Sequence, residues 1–418
     1  MANRSILSDL QIEHTRVLNS INGIGKFFKK MGMDPFKLDA DNILIKAAKQ
    51  AGHKGPFPGQ VEEGLRLTVK SITEEGNPSP FGALAVKKLF ENTVYFRLMV
   101  EKVLADNPEI EKTEIKEPVF IVGMPRTGTT ILHALMNEDP GFRSPLAWEC
   151  LRPYPVPRPE TYHDNDQIRE VEKNFGQLFK LVPDFNKKHY MAADTPQECI
   201  GINAFDFNSF QTPVLFPMPS YIDWFNNKAD KLATMRFHKR FLQYLQSGGV
   251  KADHWLLKTP VHLMRLPELF KVYPDAKLII THRHPFKIVP STASLISSVR
   301  SMYSNHENSR NTAFEQAEIW SDYFNRFLNS LGPLNKNDQI IHVKFDDFAI
   351  DQISIIKRIY QKYGWELPDE TLKRFKIFLE QNPKDKNGVH IYNLEDFGLT
   401  EKYIEQKFSR YIDFIEKL

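Results

Sequence analysis

Residues 118–130, Pro-Val-Phe-Ile-Val-Gly-Met-Pro-Arg-Thr-Gly-Thr-Thr, gather an apolar run, two glycines, an arginine and three threonines in one short stretch. The amphipathic segment 131–136, Ile-Leu-His-Ala-Leu-Met, follows at once. The pattern predicts a strand, a Gly-rich turn and the start of a helix. Backbone N–H groups in such a turn converge on one point, and the helix dipole adds positive potential there, so the arrangement suits a phosphate or sulfate group. Gly123 and Gly128 keep the spacing of the P-loop pattern, and Thr130 takes its hydroxyl position. The lysine that a triphosphate site needs is replaced by Thr129. The strong cation is Arg126, inside the turn, whose guanidinium fork matches a tetrahedral oxyanion of low charge. Thr127, Gly128, Thr129 and Thr130 complete the predicted cradle.

The elements that must position this cradle alternate along the chain. Trp255-Leu-Leu, Leu278–Thr281 and Gln339–Val343 read as further strands. Helical runs lie between them at Val261–Tyr273, Phe286–Arg300 and Thr312–Leu331. Alternating strand and helix predicts an α/β fold, a P-loop-like parallel sheet flanked by helices. Ligands of such sheets bind beyond the carboxyl ends of the strands, where Arg126–Thr130, Lys258 and Arg283 all fall. Residues 1–115 read as an N-terminal helical region, with apolar positions at helical spacing over 12–21 and 83–104. The breaks at 55–59 and 76–80 are rich in Gly and Pro. This region is expected to pack on the domain 116–418; a dimer contact or a share of an acceptor pocket is the alternative. Pro153, Pro155, Pro157 and Pro159 predict a stiff connector into a helical insertion at 151–250. The insertion carries Phe205, Phe207, Phe210, Phe216, Tyr221, Trp224 and Phe225, which suit either core packing or the wall of an apolar acceptor pocket.

Composition narrows the classes. The chain has 418 residues with 55 Lys and Arg against 52 Asp and Glu, a net charge of +3. That balance argues against a nucleic-acid face, which needs concentrated basic charge. Cys150 and Cys199 are the two cysteines, too few for a disulfide framework or a structural zinc site. His254 and His262 straddle Pro260 at a spacing that fits no common zinc pattern, so no metal is expected. The N-terminal residues lack the apolar core of a signal peptide, and no segment approaches the ~20 apolar residues of a membrane span. A cytoplasmic protein with no membrane partner is the expectation; a homo-oligomer stays open.

The loop Gly-Met-Pro-Arg-Thr-Gly-Thr-Thr, followed by Pro-Leu-Ala-Trp-Glu at 145–149, resembles that of the PAPS-dependent sulfotransferases, where PAPS is 3′-phosphoadenosine 5′-phosphosulfate. The resemblance continues through 254–263, through 276–285 with Ser291, and through 382–398, in the family's order. It implies sulfuryl transfer from PAPS to a hydroxyl or amine of a small-molecule acceptor, leaving PAP, by in-line displacement without a metal. Each matching position then takes a role. Arg126 and the loop hold the 5′-phosphosulfate, and Arg283 with Ser291 clamps the 3′-phosphate. Lys258 serves the leaving oxygen, and Lys384, Lys386 and Gly388 belong to a loop that covers the donor. Glu149 matches the catalytic carboxylate of some relatives, with a small insertion between it and Arg126. His189, Glu198 and His133 are rival general bases. An apolar or aromatic alcohol is the expected acceptor, from the aromatic insertion. A P-loop-type ATP-dependent kinase and a non-catalytic PAP or nucleotide-binding protein are the alternatives; the threonine at 129 and the lack of a metal-binding Asp after a later strand count against the kinase.

Overall fold

In the computed structural model, residues 15–182, 191–305, 307–383 and 393–418 are described. Five parallel strands form one sheet: β1 (Val119–Gly123), β2 (Phe142–Arg143), β3 (His254–Lys258), β4 (Lys277–His282) and β5 (Ile340–Lys344), in the order β2-β3-β1-β4-β5. The apolar run of β1 is buried from end to end. That burial places it in the middle of the sheet, since only a strand covered on both faces can be continuously hydrophobic. In register, Val119 faces Leu256 of β3 on one side and Lys277 of β4 on the other, while Leu278 of β4 faces Ile340 of β5.

Alternation along the strands divides the core in two. Phe120, Val122, Leu257, Leu278 and Ile280 join the larger hydrophobic cluster. Val119, Ile121, Leu256, Ile279 and Ile341 join a second cluster on the opposite face. There they meet Leu132, Leu135 and Met136 of the helix Thr129–Met136, and Ile355, Ile356 and Ile359 of the helix Gln352–Tyr363.

Four of the strands coincide with those expected from sequence. The fifth, Phe142–Arg143, is two residues long, too short to show a period, and exists through its pairing with His254 and Trp255. The helix expected over 261–273 is divided. A 3-10 helix, Pro260–Arg265, leads into an α-helix, Leu266–Val272, because Pro267 has no N–H to donate and its ring crowds the preceding turn. The other two expected helices run longer, Pro285–Tyr303 and Ser309–Leu334; the side chain of Asn308 caps the second by accepting from Arg310 and Asn311 N–H at 3.1 Å each.

Before the sheet come the helices Arg16–Lys30, Ala40–Ala51, Val61–Glu74 and Pro80–Asp106. Buried residues of the last three, Ile43, Leu65, Val94 and Leu104 among them, lie in the same cluster as the first face of the sheet, whereas Leu18 of the first and Phe81 of the fourth pack in a separate small cluster. All seven aromatics singled out between 205 and 225 are buried in that larger cluster too, so they are packed as core. Among the described residues no helix is long and apolar enough to cross a membrane.

Candidate active site

The Gly-rich turn leaves β1 at the centre of the sheet. At Gly123 a Cβ would lie 2.2 Å from Thr281 Oγ1 and 2.8 Å from Thr281 O, so the close approach of β1 to β4 admits only glycine. Two later residues, Arg126 (φ 70°) and Gly128 (φ 85°), take left-handed backbone. For Gly128 this is free of penalty, whereas for arginine it is a strained conformation held by its surroundings. Part of that hold is Thr127, whose buried hydroxyl donates to Met124 O at 2.7 Å and meets Thr281 Oγ1 at 2.6 Å. The helix Thr129–Met136 then begins with no side chain capping its first turn. Its leading N–H groups therefore stay open toward an anion.

Two guanidinium groups and a hydroxyl converge beside this turn. Arg126 Nε donates to Ser291 Oγ at 3.0 Å. Arg283, one residue beyond β4, donates from Nη1 to Arg126 O at 3.0 Å and lies 4.2 Å over the ring of Phe345. Burial presses the Arg283 pKa down and the nearby Arg126 charge adds to this, while Asp346 pulls it the other way. Neither arginine forms an ion pair with a carboxylate among the described residues. Two cations packed together without such a partner make a site of strong positive potential.

On the other side of the turn, Lys258 ends β3 with its side chain buried. Its Nζ reaches Glu198 Oε1 at 2.5 Å and Thr130 Oγ1 at 3.3 Å. Glu198 precedes the short helix Cys199–Asn203, and 30% of its side-chain surface is exposed. Backbone bonds pin the segment leading to it: Ala147 N–H donates to Thr195 O at 2.9 Å and Gln197 N–H to Pro145 O at 2.7 Å. A carboxylate, an ammonium and the mouth of the anion turn thus share one place.

Glu149 sits elsewhere. It is fully buried, and its Oε1 accepts from Arg143 Nη2 at 2.6 Å. Its Oε2 accepts from Leu146 N–H at 2.9 Å and Tyr162 OH at 3.2 Å. With both oxygens committed to a buried ion pair and a helix start, Glu149 does not present a free carboxylate to an acceptor. His133, a rival, is also enclosed. Its Nε2 lies 2.9 Å from Ser144 Oγ and 3.3 Å from Leu256 O. Burial, with the charge of Lys258, pushes its pKa down to about 3. His189, Lys384, Lys386 and Gly388 lie outside the described residues.

The structure therefore brings together Arg126, Thr127, Gly128, Thr129, Thr130, Lys258, Arg283 and Ser291 from the sequence-based set, and sets Glu198 against Lys258. It adds Thr281, which braces the turn, and Phe345, which carries Arg283. Neither shows in sequence, because each acts across a strand pairing that no local spacing reveals.

The match to the Sulfotransferase family covers residues 118–369. The chain belongs to that family. Its activity is sulfuryl transfer, and membership implies PAPS as the donor; neither the kinase nor the non-catalytic reading is favoured. The sulfotransferase is 24% identical over 331 residues to the omega-hydroxy-beta-dihydromenaquinone-9 sulfotransferase Stf3 of Mycobacterium bovis, covering 77% of this chain and 79% of that one. It is also similar to solved structures. Sulfotransferase STF9 of Mycobacterium avium superposes with a TM-score of 0.82 at 28% identity, covering 90% of this chain and 96% of that one. For sulfotransferase STF1 of Mycobacterium tuberculosis the TM-score is 0.78 at 27% identity, covering 90% and 99%.

Proposed function

We propose that this sulfotransferase takes its sulfuryl group from PAPS, with Arg126, Arg283 and Ser291 as the donor's anion clamp and Glu198 as the general base. The observation that carries the reading is the junction in which Arg126 bonds Ser291 while Arg283 bonds the backbone of Arg126. It couples a strand-end turn suited to the 5′-phosphosulfate with a second cation and hydroxyl suited to the 3′-phosphate that distinguishes PAPS from ATP. Lys384, Lys386 and Gly388 are proposed to cover the bound donor.

In the reaction the acceptor oxygen attacks sulfur, the sulfur–oxygen bond to the phosphate breaks, and PAP leaves. The protein's part is positioning and charge. Glu198 accepts the acceptor's proton. Lys258, paired with Glu198 before reaction, offsets negative charge growing on the leaving oxygen, and the turn's N–H groups hold the non-bridging oxygens. The proposed acceptor is a hydroxyl on a largely apolar small molecule, in keeping with the hydroxylated menaquinone named for the Stf3 relative. Two free buried cysteines, Cys150 and Cys199, support a reducing, cytoplasmic setting.

Thermal melting with PAP, and with ATP and 5′-AMP as controls, tests the clamp, since a ligand that binds only the native state raises Tm. A rise with PAP alone is expected, followed by PAPS-dependent turnover on apolar alcohols. A rise with ATP and none with PAP would overturn the clamp.

A further inference from the structure

Away from the anion turn, Cys199, His238 and His262 come together from three elements: the helix Cys199–Asn203, the helix Lys231–Ser247 and the 3-10 helix Pro260–Arg265. One ligating atom from each lies within 4.8 Å of the others, and all three residues are buried. The polar atoms here are short of partners. His238 Nδ1 meets Tyr273 OH at 2.7 Å, which leaves Nε2, and Nε2 has no hydrogen bond. Neither ring nitrogen of His262 has one. Buried polar atoms are normally satisfied, and each one left alone costs roughly 1–3 kcal/mol. One unpartnered nitrogen from each ring lies beside the thiol, and an occupant of the space between them would relieve both.

We propose that Cys199, His238 and His262 bind a soft d10 metal cation through one thiolate and two imidazoles. The donor set is that of such an ion, since thiolate and imidazole suit Cu+ and Zn2+ whereas hard cations take oxygen. Tyr273 holds Nδ1 of His238 and so directs Nε2 inward, in the manner of a partner that orients a metal ligand. Burial keeps both imidazoles neutral, the form that ligates. On binding, Cys199 loses its thiol proton to solvent as the sulfur–metal bond forms, and each histidine contributes a lone pair. With a monovalent ion the assembly is neutral; with a divalent ion it keeps one positive charge in a buried site that feels Lys258 and Arg265 as well as the carboxylate of Glu198. Buried net charge is costly, so Cu+ is favoured over Zn2+.

The site is placed to organise catalysis without taking part in it. Cys199 directly follows Glu198, and His262 lies just beyond Lys258 on the chain leaving β3. A metal joining them would fasten together the two segments that carry the Lys258–Glu198 pair.

The test is metal retention. Protein stripped with a chelator under reducing conditions is loaded anaerobically with Cu+ or with Zn2+, desalted and assayed by mass spectrometry. About one equivalent is expected to remain in the wild type and less than about 0.2 in Cys199→Ser and His238→Gln, with cooperative melting as the check on folding. Tighter retention of Cu+ fits the charge argument, and Zn2+ alone would keep the site while overturning the preference. Failure to retain either metal, or equal retention in both variants, overturns the proposal. Should the variants fail to fold, X-ray absorption of the loaded wild type decides: one sulfur with nitrogen neighbours supports the site, and a shell without sulfur refutes it. None of these readouts depends on PAP or PAPS binding.

Discussion

The same substitution at two glutamates should give opposite results. Glu198→Gln keeps an oxygen for Lys258 Nζ but removes the negative charge and the ability to take a proton. General-base catalysis contributes about 10²–10⁴ in rate. At 1.36 kcal/mol per tenfold, that is about 2.7–5.4 kcal/mol of barrier. PAP affinity should hold or improve, because a negative charge next to Lys258 and the anion turn is removed. The loss of stability should fall below the roughly 3–5 kcal/mol of a fully buried pair, since Glu198 is partly exposed and the amide still bonds. For Glu149→Gln the geometry is different, with side-chain exposures of 6% for Arg143 and 0% for Glu149. Here about 3–5 kcal/mol of stability should be lost, with turnover per folded molecule retained. The assay pairs single-turnover PAPS kinetics well below the melting temperature with denaturant unfolding of both variants. If Glu198→Gln turns over within threefold of wild type while folded Glu149→Gln is slowed a hundredfold or more, the assignment of the base from geometry is wrong.

Arg126→Ala should abolish sulfuryl transfer while leaving cooperative unfolding intact, because the side chain is exposed and its removal opens no core cavity; an active variant would end the cradle assignment. Ser291→Ala should weaken PAP binding by about 0.5–1.5 kcal/mol, the net worth of an ordinary hydrogen bond, and unchanged affinity in calorimetry would take Ser291 out of the clamp. Gly123→Ala should cost about 1–3 kcal/mol by overpacking against Thr281, with unaltered denaturant stability counting against a tight β1–β4 contact. The buried His133 stays neutral in the fold down to about pH 3 but takes a proton at 6.5 when unfolded. Its contribution to stability is therefore complete above that unfolded value and is lost as pH falls, at about 1.4 kcal/mol per pH unit. His133→Gln should flatten the slope of unfolding free energy between pH 4 and 6 by that amount, and an unchanged slope would show that His133 is protonated in the native state.

Much of this protein was written locally. The run 118–130 announced its strand, turn and helix because an apolar stretch, a pair of spaced glycines and a helical period are each properties of neighbouring residues. The parallel sheet followed from alternating strand and helix, and with it the gathering of Arg126, Lys258 and Arg283 at strand ends, since parallel strands all deliver their carboxyl ends to one edge. What sequence could not decide was which polar groups are already spent. Glu149 and Glu198 are both carboxylates a few residues after a proline, and only the fold pairs one with Arg143 in the core and sets the other against Lys258. The short strand Phe142–Arg143, the brace of Thr281 on Thr127 and the meeting of Cys199, His238 and His262 were equally hidden. Each depends on contact between segments far apart in the chain, and whether a charge or a lone pair remains free is set by burial and by partners, which exist only once the chain has closed on itself.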